Sequence, residues 1–309
     1  MVGEVHTGVL RGRDPVSGDV ARRLVDLVAG EPVLVSERPL GYVRSPEKPV
    51  GVDCLLSEDG PARHVRGVGT ALHRSSITGG HVVQGSAQAT LVRAEQSARR
   101  PWSYYLARPG YIETLGRTKW PELAEALARA WRPAGALDLG AVAGRAADSV
   151  QRAVPSSGPV RLRAARIRLR WVADVDPDAA TPRVRYTVLR GNLRLLRLTT
   201  RCASPAEIAA VAEDVAVHDW LLSTLIEATD NAPVGVLPRD QALRRLLPAI
   251  DYLLHLWMPG ARGGELAEAV WAALERSGGF SRQWETLVHR IRDQLSVASV
   301  GALAAAMPR

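Results

Sequence analysis

The chain has 309 residues, 46% of them hydrophobic and 23% charged, with a formal net charge of +8. That composition excludes a disordered or collagen-like chain, and the length allows about two domains whose core needs no disulfide or metal staple. The charge is uneven: Arg161 to Arg201 hold eleven Arg against three Asp, and this window carries the whole excess.

The first residues show no basic region followed by an apolar one, so a secretory leader is not expected. No stretch reaches the roughly 18 apolar residues of a membrane span. Cys54 and Cys202 lie far apart and give neither a disulfide framework nor a metal spacing, which fits a reducing cytoplasm.

Residues 1–95 alternate short β-like runs with Gly and Pro. Val33–Ser36, Gly41–Arg44 and Val50–Leu56 read as strands. Asp19–Ala29 has helical spacing, with Val20, Leu24, Leu27 and Val28 on one face. His64–Thr70 and Val82–Ala94 read as strands around a Gly79-Gly80 turn. Arg99 to Pro109 is an aromatic-rich connection. Two helices follow: Trp120–Trp131, with Pro121 in its first turn, and a second that Asp138 caps, running to about Val154. Pro155 to Pro159 reads as a linker dividing the chain into 1–154 and 160–309.

Beyond the linker, Arg166-Ile-Arg-Leu-Arg-Trp171 alternates strictly. Arg161 and Arg163 have the opposite parity and need a bulge to align. Arg183–Val188 and Leu193–Thr200, joined at Gly191-Asn192, complete an expected antiparallel three-stranded meander. Ser204-Pro-Ala-Glu207 is a capping box that opens a helix to about Thr229, striped by Ile208, Val211, Val215, Leu222 and Leu225. Helices over 240–257, 264–276 and 281–306 complete an expected four-helix bundle. Each of the four carries one Trp (Trp220, Trp257, Trp271 and Trp284), read as core anchors.

The chain lacks the phosphate-loop, nucleophile-elbow, H-E-x-x-H and paired C-x-x-C motifs. No residue is therefore assigned a catalytic, cofactor or metal role. His218, His255 and His289 each follow an acid by four residues (Asp214, Asp251 and Glu285). Each pair is open to a metal role or to a local acid–imidazole contact. His64, His73 and His81 could cluster or stand apart.

Two surfaces remain as candidates. Arg166, Arg168 and Arg170 project side by side at about 6.5–7 Å, twice the strand rise. With Arg161, Arg163, Arg183 and Arg185 they suit a solvated face, an acidic protein partner or the phosphates of a nucleic acid. Trp102, Tyr104 and Tyr105, set among arginines, suit stacking on bases or peptide, or packing onto the core.

Five stretches carry a resemblance. Arg66-Gly-Val-Gly-Thr70, Ile77 to Ser86, Arg100 to Pro109, His218-Asp-Trp-Leu-Leu222 and His255-Leu-Trp-Met-Pro259 resemble the signatures of an uncharacterised actinobacterial family, over nearly the full chain. Its members are encoded beside a variant P-loop protein and a methyltransferase-like protein. The resemblance implies a component of a multiprotein system and assigns no residue a role.

The expected protein is α+β: a mixed β-rich region, a basic β-meander and a C-terminal helical bundle. The expected function is a non-enzymatic cytoplasmic subunit or adaptor. Its partners would be other proteins, either genomic neighbours or a second copy of the chain, and no membrane. The alternative is a nucleic-acid-binding component using the arginine strand.

Overall fold

In the computed structural model, strands from the two halves of the chain pair side by side. The structure describes all residues except 13, 27, 58–63, 129–134, 155–161, 233–236, 263 and 307–309. Leu27, Trp131, the expected linker at 155–159, and Arg161 lie outside the described residues. The elements in chain order are β1 (Val2–Val9), α1 (Gly18–Val25), β2 (Leu34–Ser36), β3 (Tyr42–Arg44), β4 (Lys48–Leu55), β5 (Arg66–Thr78) and β6 (Val82–Arg93). Then come α2 (Trp102–Leu106), β7 (Tyr111–Leu115), α3 (Trp120–Ala128), α4 (Leu139–Ala153), β8 (Ile167–Val175), β9 (Arg183–Val188) and β10 (Leu193–Thr200). The chain closes with α5 (Pro205–Asp230), α6 (Arg239–Leu253), one turn of 3-10 helix (Leu254–Leu256), α7 (Glu265–Ser277) and α8 (Phe280–Ala306). The protein is thus α+β, with a mixed sheet and C-terminal helices.

β1 is the hinge of this arrangement. It pairs antiparallel with β6 on one side and with β8 on the other, so 1–154 and 160–309 build one sheet. β5 and β6 pair along Leu72–Thr78 and Val82–Gln88, then diverge. β7 enters the opening, antiparallel to β5 and parallel to β6. β4 and β3 flank successive halves of β5, and β2 flanks β3. In the β5–β6 connection His81 N donates to the Thr78 carbonyl at 3.1 Å, and the two central residues of that turn have positive φ, Gly79 at 57° and Gly80 at 70°, as a type I′ turn requires.

The expected meander needs one correction. β9 and β10 form the antiparallel hairpin, but β10 lies parallel to β8 and between β8 and β9. Burial gives the reason. Leu193, Leu195, Leu196 and Leu198 of β10 are all buried, whereas Arg183, Arg185 and Val188 of β9 are exposed. A meander would place the polar strand inside and the leucine strand at the edge.

Helices cover both sheet faces. α4 lies on one, so close that Ser75 Oγ donates to the Ala146 carbonyl at 3.0 Å. On the other lies α5, which opens with the expected capping box: Glu207 N donates to Ser204 Oγ at 3.2 Å and Ser204 N to Glu207 Oε2 at 2.7 Å. α6, α7 and α8 pack against α5. α5 is therefore buried nearly all round rather than along one stripe, and Glu213, Asp214, His218 and Asp219 are buried with its apolar residues. Trp220, Trp271 and Trp284 are buried core residues, and Trp257 stacks on Trp284 with ring centroids 4.4 Å apart.

Beneath α5 the sheet changes character across its width. Val5, Ile167, Leu169, Trp171, Leu196 and Leu198 give it an apolar half that joins the main core. Towards β3, β5 and β6 the same face is polar and still buried.

Candidate functional site

The alternation in β8 places its residues as the pattern predicts: Ile167, Leu169 and Trp171 in the α5-side core, the arginines on the α4 face. What meets the arginines comes from far along the chain. Glu4 on β1 is buried, with Arg168 Nε at 2.8 Å from Oε1 and Arg170 Nε at 3.0 Å from Oε2. His6 Nε2 lies 3.4 Å from Oε1. Burial alone would raise the Glu4 pKa, but the His6 hydrogen bond and the two guanidiniums together hold it far below the usual carboxylate range. Arg166 pairs with Asp148 of α4 at 2.7 Å, Arg194 with Asp219 of α5 at 3.2 Å, and Arg197 with Glu125 of α3 at 2.5 Å. Arg163, Arg183 and Arg185 are exposed and make no ion pair among the described residues. Arg163 precedes β8, and the other two lie on edge strand β9. The arginines of the window are not gathered onto one face.

The aromatic segment folds as α2 and the turn into β7. Tyr105 is buried and its hydroxyl accepts from Arg100 N at 3.1 Å. Tyr104 is half-buried, and its hydroxyl donates to Glu113 at 2.8 Å. The guanidinium carbons of Arg100 and Arg108 lie 4.5 and 5.5 Å from the Tyr104 ring centroid. Arg99 lies 4.9 Å from the Trp102 ring, and Arg108 5.5 Å from the Tyr111 ring. Trp102, Leu106 and Tyr111 are all exposed, Leu106 by 60%. The segment thus divides: Tyr105 anchors it, and Trp102, Leu106 and Tyr111 face out.

The histidines do not gather within either trio; the pair that meets is His81 and His255, with ring centroids 6.3 Å apart. His218 Nδ1 donates to the Asp214 carbonyl at 2.7 Å, and its Nε2 accepts from Met258 N at 3.1 Å. Burial lowers its pKa, so it stays neutral and fully bonded. His255 and His289 are exposed. The thirteen residues of β5 separate His64 from His81. Among the described residues no three metal-ligating side chains gather.

One buried site was not singled out from the sequence. On the α5 side of the sheet, Arg44, Ser76, Gln84 and Thr7 form one row across β3, β5, β6 and β1. Arg74 and Thr78 flank Ser76 on β5, and Ser86 and Gln88 follow Gln84 on β6. Arg74 donates from Nε to Glu213 at 2.7 Å and from Nη1 to Glu47 at 2.6 Å. Gln88 Nε2 donates to the same Glu47 oxygen at 3.0 Å. Arg262, in the loop before α7, lies 4.9 Å over the Tyr42 ring. It donates to Gln84 Oε1 at 2.7 Å and to Thr78 Oγ1. Gln84 Nε2 in turn bonds Thr7 Oγ1 at 3.1 Å and the Glu213 carbonyl at 2.9 Å. Burial would raise the Glu213 pKa, but Arg74 lowers it overall; burial and then Arg74 lower that of Arg44.

The sequence signal for this site is the alternation Arg74-x-Ser76-x-Thr78 and Gln84-x-Ser86-x-Gln88. A polar alternate face ordinarily means solvent. Here α5 covers it, and nothing local announces that cover. No protein-family model, curated protein or solved structure matches the chain.

Proposed function

We propose that the protein is a non-enzymatic subunit that binds another protein through the face around α2. The observation that carries this reading is the exposure of Trp102, Leu106 and Tyr111 beside the guanidiniums of Arg99 and Arg108. Trp, Tyr and Arg dominate the energetics of protein interfaces. Their rings are held in place here by Tyr105 and by the Tyr104–Glu113 bond, so little ordering is left to do on docking. The exposed guanidiniums favour a partner segment that is apolar with flanking carboxylates. The resemblance to a family encoded beside P-loop and methyltransferase-like proteins supports the same reading.

The nucleic-acid alternative draws less support. Stacking needs open ring faces, and Tyr105 is buried while Tyr104 lies beneath two guanidiniums. Arg166, Arg168 and Arg170 are each held by a carboxylate of the chain itself.

The test compares the wild type with a Trp102→Ala/Tyr111→Ala variant, each immobilised and offered host extract. Gel retardation of DNA and RNA at low salt runs in parallel. The reading expects a defined protein to be retained by the wild type and lost by the variant, without retardation. Equal retention by both proteins, or retardation that salt abolishes, would overturn it.

A further inference from the structure

Beneath α5 the protein offers more hydrogen-bond donors than its own acceptors use. Arg74 is buried, and its Nη2 has no partner. Arg262 Nε is in the same position. The Arg44 guanidinium makes no hydrogen bond or ion pair among the described residues, although burial and Arg74 both bear on it. Asp214 does not answer these donors. Its Oδ2 accepts from Gly260 N at 2.8 Å and Trp271 Nε1 at 2.7 Å, and its Oδ1 lies 3.6 Å from His218. On the polar face itself, among the described residues, Gln88 Oε1 is the buried acceptor left without a partner.

Each buried donor without an acceptor costs about 1–3 kcal/mol, and more where it is charged. Native interiors seldom carry several such groups together. An oxyanion would answer all three guanidiniums at once, with both charge and lone pairs. The guanidiniums come from three places: strand β3, strand β5 and the loop before α7. A phosphate brings more charge and more acceptor oxygens to three guanidiniums than a carboxylate does. Tyr42, Arg44, Glu47 and Arg262 are each partly exposed, so the cluster reaches solvent on its β3 side.

We propose that Arg44, Arg74 and Arg262 bind the phosphate group of a small hydroxylated molecule, with Gln88 Oε1 accepting from a hydroxyl of the ligand. Glu47 and Glu213 hold Arg74 in place and leave its Nη2 for the ligand. Gln84 and Thr78 do the same for Arg262. The site is separate from the α2 face, and either can fail without the other.

The test is calorimetric titration of the full chain at low ionic strength with ribose 5-phosphate, inorganic phosphate and acetate. One saturable site is expected for both phosphates and none for acetate, with ribose 5-phosphate the tighter. Arg74→Gln would sever two ion pairs and endanger the fold, so the informative variants are Arg44→Gln and Arg262→Gln. Arg44→Gln loses no internal bond and should weaken binding about ten- to a hundredfold, the weight of one charge-assisted hydrogen bond. Gln88→Leu should abolish the preference for ribose 5-phosphate over phosphate. Equal affinity for the two in the wild type would make free phosphate the occupant and overturn the hydroxylated ligand. Absence of saturable phosphate binding, or binding that Arg44→Gln and Arg262→Gln both leave unchanged, overturns the site itself.

Discussion

The two faces of the sheet each bury an arginine–carboxylate cluster, and the clusters are built on different terms. Under α4 one carboxylate is the centre. Both oxygens of Glu4 are taken, by Arg168, Arg170 and His6, and α4 closes over it at Gly140, where a Cβ would come 2.5 Å from Oε1. Under α5 a guanidinium is the centre. Arg74 is held by two carboxylates yet keeps an unused nitrogen, and Arg44 beside it is uncommitted. Both clusters would read as buried salt bridges. What separates them is the kind of atom left over: beside Glu4 it is His6 Nδ1, whereas under α5 it is guanidinium nitrogens of Arg74 and Arg262, which carry charge and call for an anion.

The sharpest way to break this contrast is Glu4→Gln. It removes the carboxylate charge that faces Arg170, whose side chain is 3% exposed. Removing one partner of a buried pair costs about 3–5 kcal/mol, read as a lower urea midpoint at neutral pH. A loss under about 1 kcal/mol would mean that Glu4 is not the closing group.

Acid should act next. Glu4 and Glu213 both have folded pKa values below their ordinary 4.5. Their contribution is complete above that value and is lost as pH falls from there through the depressed folded values. His81 adds a loss at milder pH. Burial, then His255, lowers it from 6.5 to about 4. The folded state therefore resists a proton that the unfolded chain accepts, and stability declines as pH falls from 6.5 towards 4. The His81 ring resonance should titrate near pH 4, and His255→Ala should move that midpoint upward. A His81 midpoint near 6.5 would contradict its burial against Tyr252, 4.3 Å away.

The smallest expected effect is the most telling. Arg44→Gln removes a cation that has no partner to strand, so without ligand it should shift stability by no more than about 1 kcal/mol. The same chemical change at Arg170 should cost several times that. Comparable losses at both positions would erase the distinction between the clusters.

How far the sequence reveals these clusters depends on whether their partners are local. The α5 capping box needs only Ser204 and Glu207, three residues apart, and it reads directly. So does the Asp138 cap on Ala141 N, while the β9–β10 hairpin falls where Gly191-Asn192 marks it but closes one residue wider, on Leu189 and Leu193. The arginine row of β8 shows its parity, but its counter-charge lies 164 residues away on β1. β1 itself gives little signal. Gly3, Glu4, His6 and Thr7 dilute its valines, yet it lies mid-sheet, and Gly3 is there because the Trp171 indole occupies the space of a side chain. The polar face of β5 and β6 is the extreme case, since its alternation points to solvent and only the docking of α5 and the Arg262 loop reverses that.

The contrast is tested most directly by thermal melting of the wild type, Arg44→Gln and Arg168→Gln across a ribose 5-phosphate titration. A ligand that binds only the folded state raises the midpoint with concentration. The expected result is a rise that saturates in the wild type, persists in Arg168→Gln and disappears in Arg44→Gln. A rise retained by Arg44→Gln and lost by Arg168→Gln would place the open cluster on the wrong face of the sheet.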